Sequence, residues 1–387
     1  MSRSAYLDSS MARQSAIAPS FAKLVLDSIS QAELAGALPI KEIFDAQKII
    51  LTGCGDSWMA GIAAKPFFEK YVRRETMAMR CIEFSRYYDS KSLGYSPNTP
   101  LVIAISFSGT VSRVVEAMRR ATAHGANTLL ITGNPNSPAA KEARHVLQIS
   151  YPEGEYQPGL NSYIGAMTTL ILLALRMGYV RDLMSRAEFD QAIADIENYC
   201  ASYDGLVDEW NIRLRDVAEQ WKDLRCYDFI ADGADFATAL FGAAKVAECF
   251  GGRATCDDSE DWCHINYFIR NPETVGRVMI CNEGGPTFGR CLESLHAIEQ
   301  LQSPCVVVTD ADLAQFPENM CVIQTPKAKN PMAAPLMQHL PLCLLAGHIG
   351  VLRGVVPFRA DDAEYAVADQ KIRSLGCGIK DSKIVLI

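Results

Sequence analysis

Ser106-Phe107-Ser108-Gly109-Thr110 packs three hydroxyls and a glycine into five residues, directly after the apolar run at 101–105. A second cluster, Gly53-Cys54-Gly55-Asp56-Ser57, follows the apolar run at 49–52. Hydroxyls and backbone N–H groups on strand-to-helix turns neutralise a phosphate without a large cation, so the pair points to a phosphorylated ligand. Gly53 and Gly55 let the backbone approach that ligand closely, and Ser57 is placed to cap its helix while donating to an oxygen. The plainer alternative makes Ser57 and Ser108 simple helix N-caps; two such turns in one unit favour the ligand. A dinucleotide fingerprint fails, because its third glycine would fall on Trp58.

These turns need strands to present them. Strands predicted at 48–52, 79–84, 101–105, 127–132 and 146–149 alternate with helices at 57–72, 111–124 and 138–144. The alternation predicts an α/β fold: a doubly wound parallel sheet with right-handed crossovers. Ligands of such sheets sit beyond the carboxyl ends of the strands, where helix N-termini point N–H groups outward. The pattern then recurs. Gly233-Ala234-Asp235 answers the Gly53 turn at an offset of 180, Asn282-Glu283-Gly284-Gly285 answers the Ser106 turn at 176, and Thr309 answers Thr132 at 177. Near-equal offsets in order imply a duplicated unit, with second-copy strands near 226–231, 253–256, 277–281, 304–309 and 320–324.

Residues 1–45 read as an N-terminal helical segment, with Phe21, Leu24, Val25 and Ile29 at helical spacing. The first domain is expected over 46–205 and the second over 206–387, without a Pro/Gly-rich linker, so the halves are expected to pack closely. Residues 162–178 and 186–222 are predicted as long helices, 333–353 as a long apolar helix, and 383–387 as a short strand. The 387 residues, 49% hydrophobic and 21% charged, fit an ordinary globular protein of two or three domains. A net charge of −8 without a basic stripe argues against a nucleic-acid surface. Residues 1–20 lack the charged-then-apolar order of a secretory signal, so a cytoplasmic location is expected. No apolar run is expected to span a bilayer; the longest, 170–175, adjoins Arg176. The 13 cysteines are odd in number and scattered, as small, reduced, buried hydrophobes would be.

The order of strand, Gly-Cys-Gly-Asp-Ser turn, helix, strand and Ser-Phe-Ser-Gly turn resembles the sugar isomerase (SIS) domain. The two tandem copies resemble the double-SIS proteins: the isomerase half of glucosamine-6-phosphate synthase and related sugar-phosphate isomerases, deaminases and deglycases. The likeness covers about residues 45–387 and is clearer in the first copy. It implies that Ser57, Ser106 and Ser108 hold a sugar phosphate, with Gly53, Cys54 and Gly55 approaching the sugar. Phe107 replaces the family's Gln, and Val111 stands where its phosphate-binding Thr is expected, leaving Thr110 or Ser112 to compensate. Gly159-Leu160-Asn161-Ser162 resembles the family's lid-like loop, which would bring Ser162 to the substrate.

The second copy has lost the serines, and Asp235 and Glu283 would repel an anion. Its segment from Ala239 to Glu248 instead resembles the family's catalytic helix, which makes Glu248 the isomerisation base. The family's ring-opening histidine lies sixteen residues on, at His264, and its C-terminal lysine matches Lys383 best and Lys380 second. Such chemistry needs a carboxylate to carry a proton between C1 and C2 through an enediol or enolamine. It also needs a near-neutral acid/base at the ring oxygen, which suits histidine. The resemblance further implies a homodimer, because that histidine is commonly supplied by the neighbouring subunit.

Blander readings stand beside these. Glu248 could be a surface residue paired with Lys245, and His264, beside Trp262 and Tyr267, a hydrogen-bonded core histidine. Cys256, Asp257, Asp258, Cys263 and His264 are rich in ligand atoms but lack a metal-site spacing, so no metal and no cofactor is expected. The expected partner is a small sugar phosphate, with no nucleic acid and no membrane. No N-terminal glutaminase domain is expected beside the repeats, so a glutamine-independent, degradative direction, in which an amine leaves, is expected. The rival from another class is a non-catalytic sugar-phosphate sensor, although residues 1–45 offer no basic recognition helix. The division of motifs between the copies predicts one composite site rather than two.

Overall fold

The computed structural model describes residues 7–29, 31–94, 99–150 and 158–386. They fall into two units. One is built around Ala22–Glu153, Ser162–Ala194 and Ala363–Ile387, the other around Met1–Phe21, Gly154–Asn161 and Asp195–Asp362.

Helices α1 (Ser10–Ser28), α2 (Gln31–Ala37) and α3 (Ile40–Asp45) lead into the first repeat. Its elements are β1 (Lys48–Gly53), α4 (Asp56–Phe67), β2 (Glu75–Arg80), α5 (Cys81–Arg86), β3 (Pro100–Ile105), α6 (Ser112–Ala123), β4 (Asn127–Thr132) and β5 (His145–Gln148). Then come α7 (Leu160–Val180), α8 (Arg186–Ala201) and α9 (Leu206–Trp221). The second repeat runs β6 (Cys226–Ala231), α10 (Phe236–Phe250), β7 (Arg253–Asp257), α11 (Ser259–His264), β8 (Val275–Ile280), α12 (Phe288–Gln300), β9 (Cys305–Thr309) and β10 (Cys321–Gln324). Helices α13 (Leu340–Arg353) and α14 (Ala363–Ser374) close the chain.

Both sheets are fully parallel. The first has the order β2-β1-β3-β4-β5 and the second, read from its other edge, β7-β6-β8-β9-β10. These are one topology twice, with the strand order reversing between β1 and β3 and again between β6 and β8. Central strands read as continuous apolar runs because helices cover both faces: every residue of β3, β4 and β8 is buried. In β8 that includes Arg277, which the register sets opposite Asp228 of β6, with 3.5 Å between the charged groups. The crossover helices approach closely in both copies. A Cβ on Gly61 of α4 would lie 3.3 Å from Leu51, and one on Gly242 of α10 would lie 2.6 Å from the Phe229 ring.

Several elements differ from expectation. Residues 79–84 are not one strand: β2 ends at Arg80, and α5 follows with Cys81, Phe84 and Ser85 buried at helical spacing. No helix forms over 138–144, where the Ala139 N–H instead donates to the Gly109 carbonyl (3.1 Å). The expected helix over 186–222 is broken before Gly205, which has φ 79°. The long helix expected over 333–353 begins as a 3₁₀ segment, Pro331–Leu336, because Pro335 carries no N–H to continue an α-helix. Helix α7 has the length and mean hydropathy (1.5) of a membrane span, but 83% of that stretch is buried in the protein. Residues 383–386 form no strand; Ile387 lies outside the described residues. The tail packs with the first repeat, and Ile384 lies against that repeat's core.

Candidate functional site

In the first repeat, β1 delivers Gly53 to the turn and α4 starts at Asp56. Gly55, at φ 56°, is the N-cap, so Ser57 lies inside the helix and is not its cap. The turn is tight: a Cβ on Gly53 would sit 2.8 Å from Ser57. Cys54 and Gly55 are exposed and Ser57 half-buried. Trp58 is anchored against β2, donating to the Ala78 carbonyl (3.2 Å) with the Arg80 guanidinium 4.0 Å from its ring centre.

The Ser106 turn splits its hydroxyls. Ser106 is buried, and its Oγ accepts from the Gly109 N–H at 3.2 Å. Gly109, at φ 61°, could carry no side chain, since a Cβ there would fall 2.0 Å from Ser137 Oγ. Phe107 lays its ring over Gly133, where a Cβ would meet it at 2.4 Å, and its carbonyl accepts from the Gly133 N–H. Ser108 is exposed and Thr110 half-buried; the Ser108 Oγ accepts from Thr110 Oγ1 (3.0 Å) and from the Thr110 N–H (3.3 Å). Helix α6 begins at Ser112 with Val111 as its cap, so Ser108 is not a helix cap either. Ser162 is half-buried in the first turn of α7.

The tail is pinned beside this turn. The Ser112 N–H donates to the Ile379 carbonyl (3.0 Å), and Arg113 and Arg86 both donate to the Lys383 carbonyl. Glu116, fully buried, accepts from the Val385 N–H (2.7 Å), Arg86 (2.6 Å), Arg113 (2.6 Å) and Ser85 (2.8 Å). Burial alone would raise its carboxyl, but these donors outweigh burial and hold it at about 2. Lys380 and Lys383 are exposed on the segment so fixed. Sequence reasoning passed over Arg86, Arg113 and Glu116; the i,i+3 pair on α6 was the only local signal for them.

The second repeat holds the acid/base candidates. Glu248 is 29% exposed on α10 and pairs with Lys245 Nζ at 2.5 Å. Lys245 is fully buried, with its ammonium 4.2 Å from the centre of the Phe241 ring. The expected pair thus forms, although its lysine is a core residue. His264 ends α11, a helix capped by Asp258, and its Nε2 lies 3.1 Å from Glu260 Oε1. With 69% of its side chain exposed, it is not a core histidine. Ile265, Tyr267 and Phe268 beside it are exposed as well.

At the switch point between β6 and β8 lies a cavity of about 220 Å³, lined by Asp232, Asp235, Asn282, Glu283, Phe288 and Met332 among others. Asp235 accepts from Gln338 (2.6 Å) and Asn282 (2.8 Å), while burial pushes its carboxyl up to about 6. Asp232 accepts from the Ser259 N–H (2.9 Å), the Ser259 hydroxyl (2.8 Å) and the Cys291 thiol (3.2 Å). Three carboxylates, Asp232, Asp235 and Glu283, line it with no basic side chain to offset them, so the cavity does not suit a phosphate. Among the described residues no group of His, Cys, Asp or Glu is arranged to hold a metal; Asp257, for one, is bound by Asn266 (2.5 Å).

Residues 42–176 match the SIS domain family. Over 320 residues the chain is 25% identical to the glutamine–fructose-6-phosphate aminotransferase (isomerizing) of Thermococcus kodakarensis, covering 82% of this chain and 51% of that protein. The chain thus spans about half the length of the curated relatives it matches. The C-terminal domain of glucosamine-fructose-6-phosphate aminotransferase from Francisella tularensis superposes with a TM-score of 0.79 at 17% identity, over 92% of this chain and 99% of that one. Tagatose-6-phosphate ketose/aldose isomerase from Escherichia coli gives 0.67 at 15% identity, over 90% and 94%. These two likenesses show a shared fold. Through its sequence match the first repeat is a SIS domain, and the second repeat has the same sheet topology.

Proposed function

We propose that the protein is an enzyme converting an amino-sugar phosphate or a fructosamine-type phosphate by proton transfer between C1 and C2. The observation that carries this reading is the pair of turns at the β1/β3 switch point. Ser57, Ser108 and Thr110 are accessible there, and Gly53, Gly55 and Gly109 keep the backbone close to any ligand. Hydroxyls in that position suit a phosphate, and the fixed tail supplies Lys380 and Lys383 in the same unit. Phe107 sets an apolar wall where a polar residue would otherwise stand.

In this reading Glu248 is the proton shuttle. Its buried partner Lys245 holds the carboxylate in place at 2.5 Å. His264, exposed at the end of α11, is the ring-opening acid/base. The exposed Ile265, Tyr267 and Phe268 around it suit a partner subunit, and a homodimer is part of the proposal. Isomerisation, deamination and deglycation all run through the same enediol or enolamine.

The test is a thermal-shift and turnover screen against fructose 6-phosphate, glucosamine 6-phosphate, fructosamine phosphates and their unphosphorylated forms. Stabilisation by phosphorylated sugars with turnover of one of them is expected. Stabilisation by unphosphorylated sugars alone would overturn the phosphate assignment, and binding without turnover would make the protein a sensor.

A further inference from the structure

The first repeat holds a thiol pair that the proposed reaction does not use. Gly53 and Arg80 are register partners in the parallel strands β1 and β2, and each strand's next residue is a cysteine, Cys54 and Cys81. Neighbouring strands lie roughly 4.8 Å apart, inside the Cα separation of roughly 4.4–6.8 Å that a disulfide spans. Beside them, Thr52 Oγ1 donates to the Cys81 sulfur at 3.5 Å. Cys54 is exposed on the glycine-flanked turn, whereas Cys81 is buried.

We propose that Cys54 and Cys81 form a redox-modification site: a hydroperoxide converts the pair into an intramolecular disulfide that closes the Gly53–Gly55 turn to the sugar. The bond itself rests on the pairing alone; its effect on ligand rests on the function proposed above. Cys54 is the attacking group. The neighbouring Cys81 thiol favours the Cys54 thiolate and outweighs burial, and the Arg113 charge adds to it. Cys81 is pushed well up, by the neighbouring Cys54 thiol and by burial, and stays a protonated resolving thiol.

The Cys54 sulfur takes one oxygen of hydrogen peroxide, the O–O bond breaks, and a sulfenic acid and hydroxide form. The Cys81 sulfur then displaces that oxygen from Cys54. The S–O bond breaks, and the thiol proton leaves with the hydroxide as water. Two thiols and one peroxide give one disulfide and two waters, and a dithiol reductant reverses the step. The second repeat supplies an internal contrast. Cys281 and Cys291 are both buried, and the Cys291 thiol donates to the Asp232 carboxylate at 3.2 Å, so neither is open to the peroxide as Cys54 is.

The experiment treats the reduced full-length chain with stoichiometric hydrogen peroxide, then maps linked peptides by mass spectrometry and titrates fructose 6-phosphate as a probe. Expected are a Cys54–Cys81 cross-linked peptide forming before any Cys281–Cys291 link, and affinity for the probe falling by at least about tenfold and returning with dithiothreitol. In Cys81→Ser, or Cys81→Ala, the link is lost and dimedone captures Cys54 as its sulfenic acid. A wild-type chain that gives no such link overturns the site, and a linked chain that binds the probe unchanged overturns the closure. If the reduced chain binds no sugar phosphate, the proposed function falls, while the linked peptide still decides the modification.

Discussion

The two repeats share a strand order, a register and a glycine where the crossover helix meets the preceding strand, yet their strand ends carry different chemistry. Beyond β1 and β3 stand Ser57, Ser108 and Thr110; beyond β6 and β8 stand Asp232, Asp235 and Glu283. The sheet fixes where a ligand can sit, and a few residues at the strand ends fix its charge. The buried ion pairs differ in kind as well. Glu116 in the first repeat ties down the tail, whereas Lys245 in the second is spent on Glu248. The duplication thus left one topology twice, with hydroxyls at the strand ends of the first copy and carboxylates at those of the second.

The largest test of that division is Glu116→Ala. Removing a buried carboxylate from between Arg86 and Arg113 is expected to cost about 3–5 kcal/mol in urea unfolding. It should also free the backbone of 379–386, read as faster amide exchange there with β6 to β10 unaffected. The carboxyl is held at about 2, below its ordinary 4.5, so its contribution is complete above pH 4.5 and lost as pH falls toward 2. A tail that stays protected in the variant would break the link between Glu116 and the tail beside the proposed phosphate site.

Next is Glu248→Gln, expected to lower turnover by about 100-fold or more while leaving sugar-phosphate affinity unchanged. The reverse pattern should follow from Ser108→Ala with Thr110→Val: affinity reduced by about 1 kcal/mol per lost hydroxyl contact for phosphorylated sugars, and unchanged for unphosphorylated ones. If both variants moved the same parameter, the repeats would not divide the labour.

Much of the scaffold was legible because strands covered on both faces spell continuous apolar runs, and their turns must carry glycine and small polar residues. The failures share a cause, which is that local pattern does not see distant partners. Cys81 to Arg86 is six residues long, too short for period alone to separate strand from helix. The tail's strand-like apolar run spends its backbone groups on Arg113 and Glu116, some 270 residues away, instead of on a sheet. Ser57 read as a cap because serine is favoured there, but the tight turn gave the cap to Gly55. Lys245 was visible only as a counter-ion, since nothing in an alanine-rich helix marks which face goes to the core. The cavity beyond β6 could not be sized from sequence, although its acidic character could.

The finest test lies in that cavity. Burial pushes the Asp235 carboxyl up to about 6 from an ordinary 3.8. The folded chain therefore binds a proton there that the unfolded chain does not, and stability gained from this group falls as pH rises from 3.8 through 6. His339 works the other way: burial lowers it to about 3, so the neutral ring loses ground to the unfolded state as pH drops below 6.5. A difference measurement separates them, because His339 is common to both proteins in a comparison of wild type with Asp235→Asn. Between pH 7 and pH 5 the wild type should gain about 1 kcal/mol relative to the variant in urea unfolding. Ser108 carries no titrating group, so substituting it by Ala should leave that pH slope as it is. An Asp235→Asn difference that does not change with pH would mean that Gln338 and Asn282 hold the carboxylate fully ionised. The second repeat's strand ends would then tolerate negative charge as easily as the first repeat's ends would accept a ligand's.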